Sequence, residues 1–166
     1  MQAIASEFAA EAQRFLDYLS ESPEIPDERV DHLAHRLVSL YSAALRLPLV
    51  EPGSAEPDEA QIPPVDPPLV SSIDSYWLLY GPESVELGKP DVVAGSLRDD
   101  LGDISRDLLV GFQVYEPDDP DAVASAVWEW RFSFRSHWGR HLVDALGTVH
   151  ELVANRQIGQ GIPREG

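Results

Sequence analysis

Cysteine is absent from the 166 residues, which excludes a disulfide framework, a thiolate zinc site and a thiol nucleophile. That fits a reducing cytoplasm, the expected compartment. Basic side chains are scarce: 12 Lys and Arg stand against 29 Asp and Glu, a formal net charge of -17. The field of such a molecule repels phosphate backbones and anionic headgroups, so neither nucleic acid nor a membrane surface is an expected partner. No apolar run approaches the roughly 20 residues that span a bilayer, and Met1 to Leu19 carries neither a basic leader nor an unbroken apolar stretch. The sequence therefore predicts a protein without a membrane span or an evident secretion signal. A phosphate-cradling glycine loop is missing as well; the glycines at 159 and 161 fall near the end of the chain.

What is present is helical periodicity. With 43% hydrophobic residues the chain can bury one core of ordinary size and no more. Ile4, Phe8, Ala12, Phe15 and Leu19 recur every three or four residues, predicting a helix over about 3–20. Pro26, Asp27 and Glu28 open a second helix, with Val30, Leu33, Leu37, Tyr41 and Ala44 as its buried stripe and Pro48 beyond its end. Residues 48–70 hold seven prolines and five acids without periodicity, the composition of an extended surface linker. A short helix is expected at 72–80, a loop at 81–94, and a further helix from about 95, where Ser96 and Asp99 have the spacing of an N-cap. Leu97, Leu101, Ile104, Leu108, Phe112 and Tyr115 form its stripe. After the turn 116–120 one long helix is expected over 121–155, apolar on so many faces that it belongs in the middle of a bundle.

The fold class predicted is all-α, a single-domain bundle of about four long helices and one short one with a long central C-terminal helix. The domain spans 1–155, with the Pro-rich acidic linker at 48–70 inside it, and 156–166 is expected to be a flexible tail. Charge is uneven along it: 1–120 hold 24 acids and 7 bases, 121–166 five of each.

Two segments carry a resemblance. Residues 95–107 (GSLRDDLGDISRD) and 128–146 (WEWRFSFRSHWGRHLVDAL) resemble the bacterial family catalogued as domain of unknown function five thousand and sixty-three. The likeness extends to Tyr76-Trp77 and the N-terminal helices, with Ser105 as a departure where an aromatic is expected. It implies a small helical bacterial protein and brings no assigned activity, cofactor or catalytic residue.

The same two segments carry a polar seam. Asp100, Asp103 and Asp107 return to one helix face, and so do His137, His141 and Asp144. Counting back from a turn near 118 sets Asp100 level with His137, and Asp107 with 129–131. Read as a metal site, three carboxylates facing two imidazoles supply oxygen and nitrogen ligands for a divalent ion that activates water, with a phosphate-containing small molecule as substrate. Read as structure, Asp99 and Asp100 favour the positive helix end, Asp103 and Asp107 pair with Arg106, Arg131 and Arg135, the guanidinium groups stack on Trp128 or Trp130, and the histidines are held by carboxylates or carbonyls.

Other residues rank lower. Ser133 and Ser136 lie near His137 without any nucleophile-elbow pattern, and His32 and His35 sit with Asp31 and Arg36 on a solvated face. The leading expectation is a non-catalytic interaction module that binds a protein partner or itself, with Tyr76, Trp77 and Tyr80 as contact or core residues. It needs no cofactor. The metal-dependent hydrolase is the alternative, with a divalent metal.

Overall fold

The computed structural model describes residues 1–70, 75–79 and 92–161. Helices dominate, as the periodicity predicts. Helix α1 (Gln2–Ser20) buries Ala5, Phe8, Ala12, Phe15 and Leu19. A 3-10 turn, Asp27–Arg29, then leads into α2 (Val30–Leu45), which buries Val30, Leu33, Leu37, Leu40 and Ala44. Helix α3 (Leu97–Val114) starts at Ser96, whose hydroxyl accepts the Asp99 N–H, and buries Leu97, Leu101, Ile104 and Leu108. Ser105, also buried, returns its hydroxyl proton to the Leu101 carbonyl at 2.6 Å.

The expected single C-terminal helix is two. Helix α4 (Pro120–Ser136) opens on Asp119, which accepts from the N–H groups of Asp121 and Ala122, with Pro120 where its missing N–H costs nothing. At His137 the backbone leaves helical geometry (φ -146°, ψ -85°), and α5 (Trp138–Gly161) begins on a new axis. On a straight helix Trp138 would lie about 80° round from Trp130; with the break both indoles are fully buried. The Trp138 indole N–H donates to the Trp130 carbonyl (3.3 Å) and the Ser133 hydroxyl (3.1 Å). Ser133 and Ser136 bond back to the carbonyls of Glu129 and Phe132, a habit that bends helices, so both hydroxyls have structural tasks. Nor is the C-terminal stretch buried all round, since Phe132 and Val143 are exposed. Helix α5 runs through Gly161, past the end expected at 155; residues 162–166 lie outside the described ones.

Of the short aromatic helix expected at 72–80, residues 75–79 form a strand instead, and 72–74 lie outside the described residues. Strand β3 (Ser75–Leu79) pairs antiparallel with β4 (Val92–Ser96), placing Tyr76 opposite Gly95 and Trp77 opposite Ala94. The Ser-Tyr-Trp and Val-Val runs suit a pleated surface, and pairing with a segment read as loop satisfies backbone groups that an isolated helix as short as the one expected could not. Tyr80 and most of the loop expected at 81–94 lie outside the described residues. A second pair, β1 (Glu24–Ile25) with β2 (Leu69–Val70), is parallel and fastens the end of the proline-rich segment beside the α1–α2 connection.

That segment is extended and superficial, as its composition predicts, but it is pinned along its length. Asp58 exchanges hydrogen bonds with Gln113 (2.8 and 3.0 Å), Ser54 donates twice to Asp121, and Arg98 donates to the Pro67 carbonyl. The core joins one face each of α1, α2, α3, α4 and α5 around Phe8, Phe15, Leu37, Trp130 and Trp138. Among the described residues no helix is long and apolar enough to cross a membrane.

Candidate metal centre

Helix α3 faces both α4 and α5, so the break at His137 decides what its acidic face meets. His137 Nδ1 lies 2.9 Å from Asp107 Oδ2, and His141 Nδ1 lies 2.8 Å from Asp100 Oδ1. Asp107 keeps the level expected from counting back to the turn, close enough to Glu129 to add to the rise that burial causes in its pKa and next to Leu108, whose carbonyl accepts the Trp130 indole N–H; the expected pairing of Asp100 with His137 is displaced by one turn, to His141. The reason is that His137 leaves α4 and hands the register to α5.

These contacts sort the six seam residues into three tasks. Asp100 and Asp107 hold one ring nitrogen of each histidine, which leaves the two Nε2 atoms to bind elsewhere. Asp103, His137 and His141 each offer a ligand atom within 4.8 Å of the others, and His141 Nε2 stands 3.5 Å from Asp103 Oδ2. Ligands 2.0–2.1 Å from a tetrahedral ion are about 3.3 Å apart, so this pair already has nearly the spacing of two coordination positions. Asp144 is held by Arg140 (2.7 Å) and stays near enough to Asp100 and Tyr76 to add to the rise that burial causes in their pKa values.

Burial differs in the same pattern. The side chains of Asp100 and Asp107 are buried and mostly buried, whereas Asp103 and His137 are open to solvent and His141 lies between. Desolvation raises both orienting carboxyls above the usual carboxylate range, opposed at Asp107 by His137 and at Asp100 by hydrogen bonds from Tyr76 and His141. The Tyr76 hydroxyl donates to Asp100 Oδ2. Its own pKa rises strongly, from burial first and then from that carboxylate, so it stays a donor. Tyr76 reaches Asp100 by leaning across Gly95, where any Cβ would fall inside its ring. The strand pairing thus supplies a contact to the seam that no helix at 72–80 would have aimed.

The arginines expected to neutralise the seam do not. Arg106 pairs with Glu59 at 3.3 Å, and among the described residues Arg131 and Arg135 have no ion pair. Trp128 stacks instead on Phe132, with ring centroids 4.9 Å apart and planes within 4°. Asp99 is exposed, with its N–H in the helix cap. His32 and His35 are exposed, as read from the sequence. Of the three aromatics, Trp77 is 75% exposed and Tyr76 half-buried, while Tyr80 lies outside the described residues.

Beside the triad runs a groove of about 600 Å³. One wall is the 63–67 segment, the other Arg98, Asp99, Gly102, Asp103 and Arg106 of α3. Asp103 belongs to both groove and triad. Arg98 and Arg106 are held there by carboxylates of the proline-rich segment, Asp66 and Glu59, whose side chains are mostly exposed. Neither the groove nor its link to Asp103 was legible beforehand, because its second wall comes from the linker.

No curated protein matches the chain. Among solved structures it is similar to the crystal structure of protein BF1032 from Bacteroides fragilis, at 20% identity and a TM-score of 0.55 over 91% of this chain and 88% of that one. That likeness is one of fold. The family model described as Domain of unknown function (DUF5063) matches residues 1–155, and the chain belongs to that family.

Proposed function

We propose that this protein is a metal-dependent hydrolase whose divalent ion, of the zinc class, is held by Asp103, His137 and His141. The observation that carries the reading is the arrangement of both imidazoles: each Nδ1 is engaged by a carboxylate of α3, while Nε2 of His141 stands 3.5 Å from Asp103 and His137 offers a ring nitrogen within 4.8 Å of both. Carboxylates in that outer position fix the tautomer and raise the basicity of a metal-bound histidine. Two imidazoles and one carboxylate suit zinc and its neighbours, and three protein ligands leave a coordination position for water. Water bound there ionises near neutral pH and becomes the nucleophile.

The substrate class follows from the groove. Arg98 and Arg106 face its opening with exposed counter-ions that an incoming phosphate group replaces. A small phosphate-containing molecule is the substrate proposed. The test is elemental analysis of protein purified without chelator, then calorimetric titration with zinc, manganese and magnesium and a screen of small phosphoesters. One ion per chain, lost on His141→Ala together with turnover, is the expected result. No uptake at millimolar metal sinks the reading.

A second reading, a non-catalytic module that binds a protein partner or itself, is supported by Trp77, 75% exposed on β3. Sedimentation of Trp77→Ala against the unmodified chain tests its self-associating form. An unchanged monomer in both removes that form.

A further inference from the structure

A second groove, of about 250 Å³, lies between the start of the proline-rich segment and the outer face of α4. Leu49, Val50, Trp128 and Phe132 give it apolar walls, and Arg131 and Arg135 give it charge. It shares no residue with the metal triad or the larger groove. Leu49 is 79% exposed and Phe132 54%, so bulky apolar surface faces water beside two cations.

The charge pattern says what covers it. In a chain of net charge -17, Arg14, Arg29, Arg46, Arg98, Arg106 and Arg140 each have a carboxylate partner. Among the described residues Arg36, Arg131 and Arg135 have no ion pair, and of these Arg131 and Arg135 stand four apart on one helix face, where like charges repel. Two guanidinium groups flanking a stacked Trp–Phe pair form a surface suited to bidentate carboxylate contacts around an apolar anchor. We infer that this face docks an acidic peptide segment of a partner protein, with one large apolar side chain seated between Leu49 and Phe132 and its carboxylates on Arg131 and Arg135. The negative field of the whole molecule opposes a long polyanion such as nucleic acid at the same place more than a short segment whose few carboxylates sit on the two arginines.

The test uses the full chain and a fluorescein-labelled synthetic peptide alternating glutamate with leucine and phenylalanine, followed by anisotropy. The expected result is saturable binding that weakens at least tenfold in Arg131→Gln/Arg135→Gln and in Phe132→Ala, weakens with added salt, and is absent for the same peptide with lysine in place of glutamate. Each variant is first shown to keep the wild-type melting temperature, and Leu49→Ser serves as a second apolar variant if Phe132→Ala melts early. Three outcomes overturn the inference: no binding of the acidic peptide, binding unaffected by the double substitution, or concentration-dependent dimerisation abolished by it, which assigns the face to a second copy. Preferential capture of a single-stranded oligonucleotide by the same arginines overturns it as well.

Discussion

His141 Nδ1 stands 2.8 Å from Oδ1 of Asp100, a carboxylate whose side chain is only 6% exposed. A buried carboxylate at that nitrogen directs the opposite ring nitrogen outward, toward Asp103. Removing it frees the ring to rotate without touching any proposed ligand. Asp100→Ala is expected to lower zinc affinity by about 10- to 100-fold, the usual effect of losing such an outer contact. Asp144→Ala, whose carboxylate is held by Arg140, leaves affinity unchanged. Calorimetric titration of both variants checks the difference.

Tyr76 tunes the same carboxylate. Burial raises the Asp100 pKa and the Tyr76 hydroxyl opposes the rise, so Tyr76→Phe moves the Asp100 pKa further up. Gly95→Ala does the same indirectly, because the added methyl displaces the ring that carries the hydroxyl. Carboxyl carbon chemical shifts followed by NMR through acid titration report the change; no displacement in Tyr76→Phe removes the contact from the account.

Helix α3 passes so close to α4 that a Cβ at Gly111 would overlap the Trp130 indole. Alanine gains about 1 kcal/mol of helix propensity there, but overpacking costs about 1–3 kcal/mol. Displacing the indole also breaks the bond from its N–H to the Leu108 carbonyl, and a buried donor left unpaired costs about 1–3 kcal/mol. The losses win: Gly111→Ala is expected to destabilise by about 2 kcal/mol, seen as a melting point lowered by roughly 5 °C. A melting point equal to or above the wild type contradicts this packing.

One contribution to acid dependence comes from the linker. Asp121 accepts the Ser54 hydroxyl and N–H, and these bonds hold its pKa below the ordinary carboxylate value. A carboxyl depressed in the folded state stabilises above its unfolded pKa and loses that contribution as pH falls through the folded one. Asp121→Ala should therefore be less stable than the wild type near neutrality, with the gap closing below about pH 4. Urea unfolding at several pH values measures the gap, and one that stays constant across that range rules the linkage out.

The helices α1, α2 and α3, the cap at Ser96 and the buried stripes were determined by the sequence itself, because periodicity and capping depend on neighbours within a turn or two. The fold class and the family were legible on the same grounds, from contiguous stretches of chain. Tertiary structure decided the rest. Whether Tyr76 lies on a helix or a strand depends on a partner about twenty residues away. The break at His137 accompanies the burial of two indoles in the core, and around it His137 meets Asp107 and His141 meets Asp100. Which of six acidic and imidazole groups converge, and which arginines remain without an ion pair among the described residues, depends on how α3, α5 and the pinned proline-rich segment meet. Those distances are set by packing across the bundle, and local spacing carries no record of them.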